Sequence, residues 1–175
     1  MQSSVLIAYA TRGGSTAEVA QAVAAAMQEA GVPAEVLPVN QINTLTGREA
    51  VILGAPLYIG HFPREFHQFL RLHHEALHHM HPWLFVLGPT RNVPKDFEGA
   101  RTQAEKELSH YAWLHPADLH IFGGRWNTQD LPFPFSLIRR IPGNPLGRIP
   151  AQDIRDWVAI REWSLGIVRR IRPAA

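Results

Sequence analysis

Cysteine is absent from the 175 residues. Its absence excludes disulfides, thiolate metal sites, iron–sulfur clusters and cysteine nucleophiles, so any redox function must use a bound cofactor. No window reaches the ~18 consecutive apolar residues that a membrane-spanning helix requires. Met1-Gln2-Ser3-Ser4 runs straight into Val5-Leu6-Ile7-Ala8-Tyr9, with no basic n-region and too short an apolar stretch for a secretory signal, so a cytoplasmic location is expected. Charged residues are scarce, at 18%. Apolar residues reach 46% and are spread along the whole length, unlike the low-hydrophobicity, high-charge composition of a disordered chain. The length suits one well-buried core and is short for two, since domains cluster near ~100–150 residues. Residues 1–175 are therefore read as a single domain.

The formal net charge is only +2, but the 17 Lys and Arg are mostly Arg and gather late, at Arg139, Arg140, Arg148, Arg155, Arg161, Arg169, Arg170 and Arg172. A basic C-terminal third can meet anionic lipid or an acidic protein, or can simply form a solvated surface. Nucleic acid is not expected as a partner.

Short apolar runs bounded by turn residues alternate with longer amphipathic stretches, the pattern of βα units around a parallel sheet. Strands are expected at Val5–Tyr9, Ala34–Val39, Ala50–Gly54, Trp83–Leu87 and Asp118–Phe122. Helices are expected at Ser15–Ala30, Pro63–Met80, Phe97–Tyr111 and Ala151–Ile171, the last beginning near Asp153. Five strands with helical crossovers predict an α/β doubly wound parallel sheet of order 2-1-3-4-5, with a ligand at the carboxyl ends of strands 1 and 3. The proline-rich stretch 124–150 breaks the alternation and reads as an insertion after the fifth strand begins. No internal repeat is present.

Tyr9-Ala10-Thr11-Arg12-Gly13-Gly14-Ser15-Thr16 leads from the first strand into the first helix. Backbone N–H groups at a helix start form an anion site, Gly13 and Gly14 allow close backbone approach, and the Thr and Ser hydroxyls add donors. Each hydrogen bond to a phosphate contributes about 1.5–3 kcal/mol, so half a dozen hold a monophosphate without a metal. The nucleotide P-loop requires Gly-Lys-Ser/Thr and no Lys stands here; the dinucleotide G-x-G-x-x-G is also missing. A metal-binding receiver domain would need acidic residues where this strand ends in Tyr9-Ala10-Thr11. The competing reading is a Gly-rich turn in which Ser15 or Thr16 merely caps the helix.

Thr11-Arg12-Gly13-Gly14-Ser15-Thr16 resembles the phosphate loop of the flavodoxin-like family. The form Tyr-x-Thr-Arg-x-Gly-x-Thr is closest to the branch that holds the menaquinone-dependent protoporphyrinogen dehydrogenases, which also has an Arg where Arg12 stands. The likeness covers nearly the whole chain and is best at the phosphate loop, strand 3 and the last helix. It implies a flavodoxin-like fold and flavin mononucleotide (FMN) as cofactor, its phosphate on residues 11–16. Arg12 either pairs with that phosphate or points into solvent.

The loop Gly54-Ala55-Pro56-Leu57-Tyr58-Ile59-Gly60-His61-Phe62 resembles the family's Gly-Ala-x-x-x-x-Gly-His stretch. With Gly88-Pro89-Thr90-Arg91-Asn92 after strand 4, it is expected to hold the isoalloxazine through backbone groups and apolar faces, on Pro56, Leu57, Tyr58, Ile59, Gly60, Gly88, Pro89, Thr90 and Arg91. Tyr58 is the aromatic expected nearest the flavin, or else a half-buried surface residue. His61 is a candidate for moving a proton near the flavin, although much flavin chemistry needs no protein acid or base.

His67, His73, His74, His78, His79 and His81 crowd one helix and its end. His74 and His78 share a face at ligand spacing, yet no His-Glu-x-x-His occurs and no third ligand is fixed, so no metal is expected. The stripe Phe66, Phe69, Leu70, His73, Leu77 and Met80 is the expected apolar side, leaving His67, His74, His78 and His81 in solvent.

Phe122-Gly123-Gly124-Arg125-Trp126 and the segment from Asp153 to Trp163 also resemble that branch, whose insertion is associated with substrate or membrane contact. Here the insertion is more proline-rich and opens Trp126-Asn127-Thr128-Gln129-Asp130, a departure that weakens the case for a porphyrinogen substrate. Within residues 131–140, Phe133, Phe135, Leu137, Ile138, Arg139 and Arg140 suit peripheral contact with the inner face of a membrane; a lid on the domain's own surface or a dimer contact fits as well. The expected function is an FMN oxidoreductase passing electrons between a reduced small molecule and a quinone. A soluble shuttle to a redox protein partner and a flavin-free binding module are the alternatives.

Overall fold

The computed structural model describes residues 4–126 and 151–172. Five parallel strands, β1 (Ser4–Tyr9), β2 (Ala34–Pro38), β3 (Arg48–Pro56), β4 (Trp83–Leu87) and β5 (Asp118–Phe122), form a sheet of order β2-β1-β3-β4-β5. The expected topology is the observed one. Strand side chains alternate between two faces, and both are covered, which is why the strands are apolar at nearly every position. Leu6, Ala8, Val51, Leu53 and Val86 share one core cluster with Phe66, Phe69, Leu70 and Leu77 of α2 (Arg64–Leu72) and α3 (His74–Met80) and with Ala100 and Ala104 of α4 (Pro94–Leu108). Val5, Ile7, Ile52 and Phe85 share the other with Val19, Val23 and Met27 of α1 (Ser15–Glu29) and Ile160 and Ile167 of α5 (Trp157–Ile171). Each fully buried aliphatic side chain stabilises the fold by about 1.5–3 kcal/mol.

The strand order reverses at β1, so the loops after β1 and β3 diverge from adjacent carboxyl ends and leave a crevice. Hydrogen bonds continue past the strand ends, from the Ala10 N–H to the Gly54 carbonyl and from the Leu57 N–H to the Leu87 carbonyl, both 2.9 Å. The loops thus leave the sheet in register.

Four expected helix boundaries shift. The helix expected over 63–80 breaks at His73 (φ −107°, ψ 22°), whose buried ring packs 4.6 Å from that of Phe69 and places Nε2 3.4 Å from the Ile42 carbonyl. The helix expected over 97–111 starts at Pro94, a residue suited to a first turn, and ends at Leu108. The last helix starts at Trp157, where Asp156 accepts the Ala159 N–H at 2.9 Å as an N-cap. Gln152–Asp153, expected in that helix, instead forms β7, antiparallel to β6 (Arg125–Trp126).

Candidate functional site

Gly14 adopts φ +81°, a left-handed conformation that strains any residue with a Cβ. This lets the chain turn from β1 into α1, and the Gly14 N–H donates to Thr11 Oγ1 at 3.0 Å. Gly14 is the N-cap and no side chain caps the helix, so the capping alternative for Ser15 and Thr16 is not what the fold adopts. Helix-start amides are left for an external acceptor. Thr16 is fully buried, and its Oγ1 has no hydrogen-bond partner among the described residues, a cost of about 1–3 kcal/mol unless a ligand supplies one. A phosphate oxygen at the loop would satisfy it.

The loop is braced from the other end of the chain. Arg125 donates from Nη1 to Glu18 Oε1 at 2.7 Å and from Nη2 to the Gly13 carbonyl at 3.0 Å. Arg155 donates to Glu18 Oε2 at 2.7 Å, takes both oxygens of Asp153 at 2.8 and 2.6 Å, and stacks 4.6 Å over Trp157. Burial pushes the Glu18 carboxyl up, but Arg155 and then Arg125 outweigh it and hold it below the usual carboxylate value. Hydrogen bonds from Arg155 hold Asp153 low as well. The basic C-terminal third, readable from sequence as solvated, thus contains a side chain only 4% exposed. Asp153 stands two positions from Arg155, but its other partner Glu18 lies 137 positions away and is not marked in the sequence.

Tyr58 and His61 close a two-residue hairpin, N–H to carbonyl at 2.9 Å and 3.0 Å. Ile59 (φ 50°) and Gly60 (φ 81°) form its tip, and two positive φ values are those of a type I′ turn. Burial pushes the Tyr58 phenol above its ordinary value, against hydrogen bonds from the Arg12 and Gly13 amides. The exposed Arg12 guanidinium lies 5.5 Å over the Tyr58 ring. Tyr58 therefore meets the first loop, and the solvent-exposed Arg12 lies over its outer face. Leu57, Ile59 and Gly60 face Gly88, Pro89, Thr90 and Arg91 across a cleft of about 750 Å3, whose floor is Gly99, Ala100 and Gln103 of α4. A planar cofactor-sized ligand suits that volume. Arg91 is forked onto Asp96 at 2.9 and 3.2 Å. Pro56 is buried at the end of β3.

Glu107 of α4, which sequence reading passes over, is 7% exposed. Its Oε2 accepts the Phe62 N–H at 3.1 Å, and its Oε1 accepts from His61 Nδ1 at 3.0 Å. His67 places Nε2 3.2 Å from Oε2 and Nδ1 2.7 Å from the Tyr111 hydroxyl. Burial pushes the Glu107 carboxyl up, but the Phe62 N–H, His61 and His67 pull it below its usual value. Glu107 stays ionised at neutral pH, so His61 donates through Nδ1 and presents Nε2 outward.

The histidines expected in solvent are only partly so. His67 is held as described and His78 sits 2.7 Å from the Trp113 carbonyl; His74 and His81 are exposed as expected, His81 with Nδ1 3.1 Å from the His115 carbonyl. The segment Tyr111–His115 covers this face of α2 and α3, an adjacency that helical periodicity does not reveal. Among the described residues no group of three His, Asp or Glu is arranged to hold a metal ion. No helix among them is long and apolar enough to cross a membrane. Phe133, Phe135, Leu137, Ile138, Arg139 and Arg140 of the expected insertion lie outside the described residues.

Residues 6–135 match the model of the flavodoxin domain family, and the chain belongs to that family. It is 28% identical over 167 residues to the Escherichia coli protoporphyrinogen IX dehydrogenase [quinone], covering 90% of this chain and 87% of that protein. It is 26% identical over 168 residues to the protein of the same name from Leishmania major, covering 91% and 72%. Oxidised flavodoxin 2 from Bacillus cereus superposes with a TM-score of 0.61 at 16% identity, covering 96% of this chain and 99% of that one. Family and fold together support a flavin cofactor and oxidoreductase activity.

Proposed function

We propose that the flavin is FMN and that the protein is a quinone-reducing oxidoreductase. Thr11, Arg12, Gly13, Gly14, Ser15 and Thr16 take the phosphate; Pro56, Leu57, Tyr58, Ile59, Gly60, Gly88, Pro89, Thr90 and Arg91 take the ring. The observation carrying this reading is the uncapped helix start beside the buried, unpartnered Thr16 hydroxyl. When bound, the flavin supplies redox chemistry that the side chains of a cysteine-free protein lack. The chain's own part is to place the ring between the 57–60 and 88–91 loops, exclude water from one side, and move a proton at His61 Nε2, whose ring Glu107 orients.

The names of the E. coli and L. major relatives make a porphyrinogen the first donor to try and a quinone the acceptor. The exposed apolar tip Ile59 beside Arg91 and Lys95 on the cleft rim favours, as a second reading, a shuttle that docks a redox protein there. Titration with FMN, FAD and riboflavin tests the first reading. FMN should bind tightest, because only its terminal monophosphate meets the loop. Riboflavin binding as tightly as FMN removes the phosphate argument; a colourless protein that FMN does not restore leaves a flavin-free binding module.

A further inference from the structure

We infer that Arg155, acting with Arg125, is a positioning residue for the anion loop: it holds the backbone of Gly13–Ser15 and the first turn of α1 in the orientation that aims the helix-start amides at the flavin phosphate. This rests on the FMN reading above. The two guanidiniums each take one oxygen of the same carboxylate, Glu18, at 2.7 Å. Each also reaches a loop carbonyl, Arg125 that of Gly13 at 3.0 Å and Arg155 that of Ser15 at 3.5 Å. In a trans peptide the carbonyl and the following N–H point in opposite directions. Anchoring the Ser15 carbonyl from outside therefore fixes which way the Thr16 amide faces, while anchoring that of Gly13 keeps the Gly14 amide turned onto Thr11 Oγ1.

Charge alone does not account for the arrangement. Among the described residues two arginines face two carboxylates, Glu18 and Asp153, so these four side chains bring no net positive charge to the loop. Glu18 sits in the first turn of α1, close to where a phosphate would lie, and by itself opposes an anion. What the cluster adds is geometry. Arg155 is bound along its whole fork: Nε and Nη2 to Asp153, Nη1 to Glu18, its face on Trp157. Lysine keeps the charge and cannot reproduce the fork. The segment that carries Arg155 is itself held in place by β7 and by the Ile154 N–H, which donates to the Gly124 carbonyl at 3.1 Å.

The test compares wild type, Arg155→Lys and Glu18→Gln. Inorganic phosphate binding to the flavin-free protein is followed by 31P NMR, and FMN and riboflavin are titrated by fluorescence. Arg155→Lys should weaken FMN and phosphate roughly tenfold, about the loss of one charged hydrogen bond, and leave riboflavin unchanged. Glu18→Gln removes a negative charge near the phosphate, yet should weaken FMN, because the two arginines lose their shared anchor. Thermal melts confirm that the variants are folded; Glu18→Gln carries the test if Arg155→Lys does not fold. Unchanged FMN and phosphate affinity in Arg155→Lys overturns the inference, as does tighter FMN binding by Glu18→Gln, which marks the cluster as electrostatic only. An equal loss for riboflavin also overturns it. A wild type that binds neither phosphate nor FMN sinks the FMN reading itself and this inference with it.

Discussion

The carboxylate of Glu107 accepts the backbone N–H of Phe62 at 3.1 Å, tying the chain just after the 58–61 turn to α4 across a sequence separation of 45 residues. The same carboxylate orients His61, so one side chain holds both the backbone after the turn and the imidazole that closes it.

Glu107→Gln should therefore destabilise the protein by about 1–3 kcal/mol near neutral pH, the cost of disturbing a buried charged hydrogen-bond network. The folded-state carboxyl lies below its ordinary 4.5, so its contribution is complete above that pH and is lost as pH falls through the folded value. Urea midpoints at pH 7 and at low pH check this. The gap between wild type and variant should close in acid, and a gap independent of pH would contradict the assignment. Glu18 and Asp153 are depressed in the same sense and should steepen the wild type's acid limb.

Gly54→Ala tests the packing of β3 against β4. A Cβ at Gly54 would stand 2.2 Å from the tip of the fully buried Phe85 ring, and the ring is itself hemmed in by Phe122 and Trp163 at 6.2 and 6.0 Å. Overpacking should cost about 1–3 kcal/mol, read as a lower thermal midpoint. Phe85→Leu in the same chain should recover part of that loss by vacating the space. A neutral Gly54→Ala would mean that the Phe85 side of the sheet yields more easily than its burial suggests.

Much of this was legible in order along the chain. Apolar runs such as Val5–Tyr9 and Trp83–Leu87 declare strands because both faces of a parallel sheet are buried, and the hydroxyl-and-glycine run 11–16 marks a turn into a helix. The helix break at His73 was not, because the stripe through Phe69, His73 and Leu77 has helical period on both sides of it, and the Ile42 carbonyl that His73 meets there lies 31 positions away. Nor were Glu107 and Arg155. Each looks like an ordinary charge on its own helix or ribbon, and its meaning lies in partners such as Phe62 or Glu18, whose proximity topology alone creates.

Metal removal gives a third check. His67 is engaged by Glu107 and Tyr111, and His78 by the Trp113 carbonyl, so these imidazoles serve packing and hydrogen bonding. Dialysis against a chelator should leave flavin binding and any flavin-dependent turnover unchanged. A stoichiometric metal whose loss abolishes activity would reverse this assignment.

The last prediction concerns Ile59, a β-branched residue held at φ 50° and 96% exposed. A left-handed conformation costs such a residue about 1–2 kcal/mol, and burial returns nothing at this exposure. Its neighbour Gly60 shares the turn at φ 81° without strain. Ile59→Gly should relieve the strain and lose part of the gain to the flexibility of the unfolded chain, for a net stabilisation of about 0.5–1 kcal/mol; Ile59→Asn should behave alike, since Asn tolerates the same region. A strained, exposed apolar residue on the rim of the cleft makes sense if it meets a substrate or redox partner. The variants should then melt higher than wild type while the KM for the electron donor or acceptor rises. Higher stability with unchanged KM would remove Ile59 from partner contact, and lower stability would show that the turn does not hold it in the left-handed region.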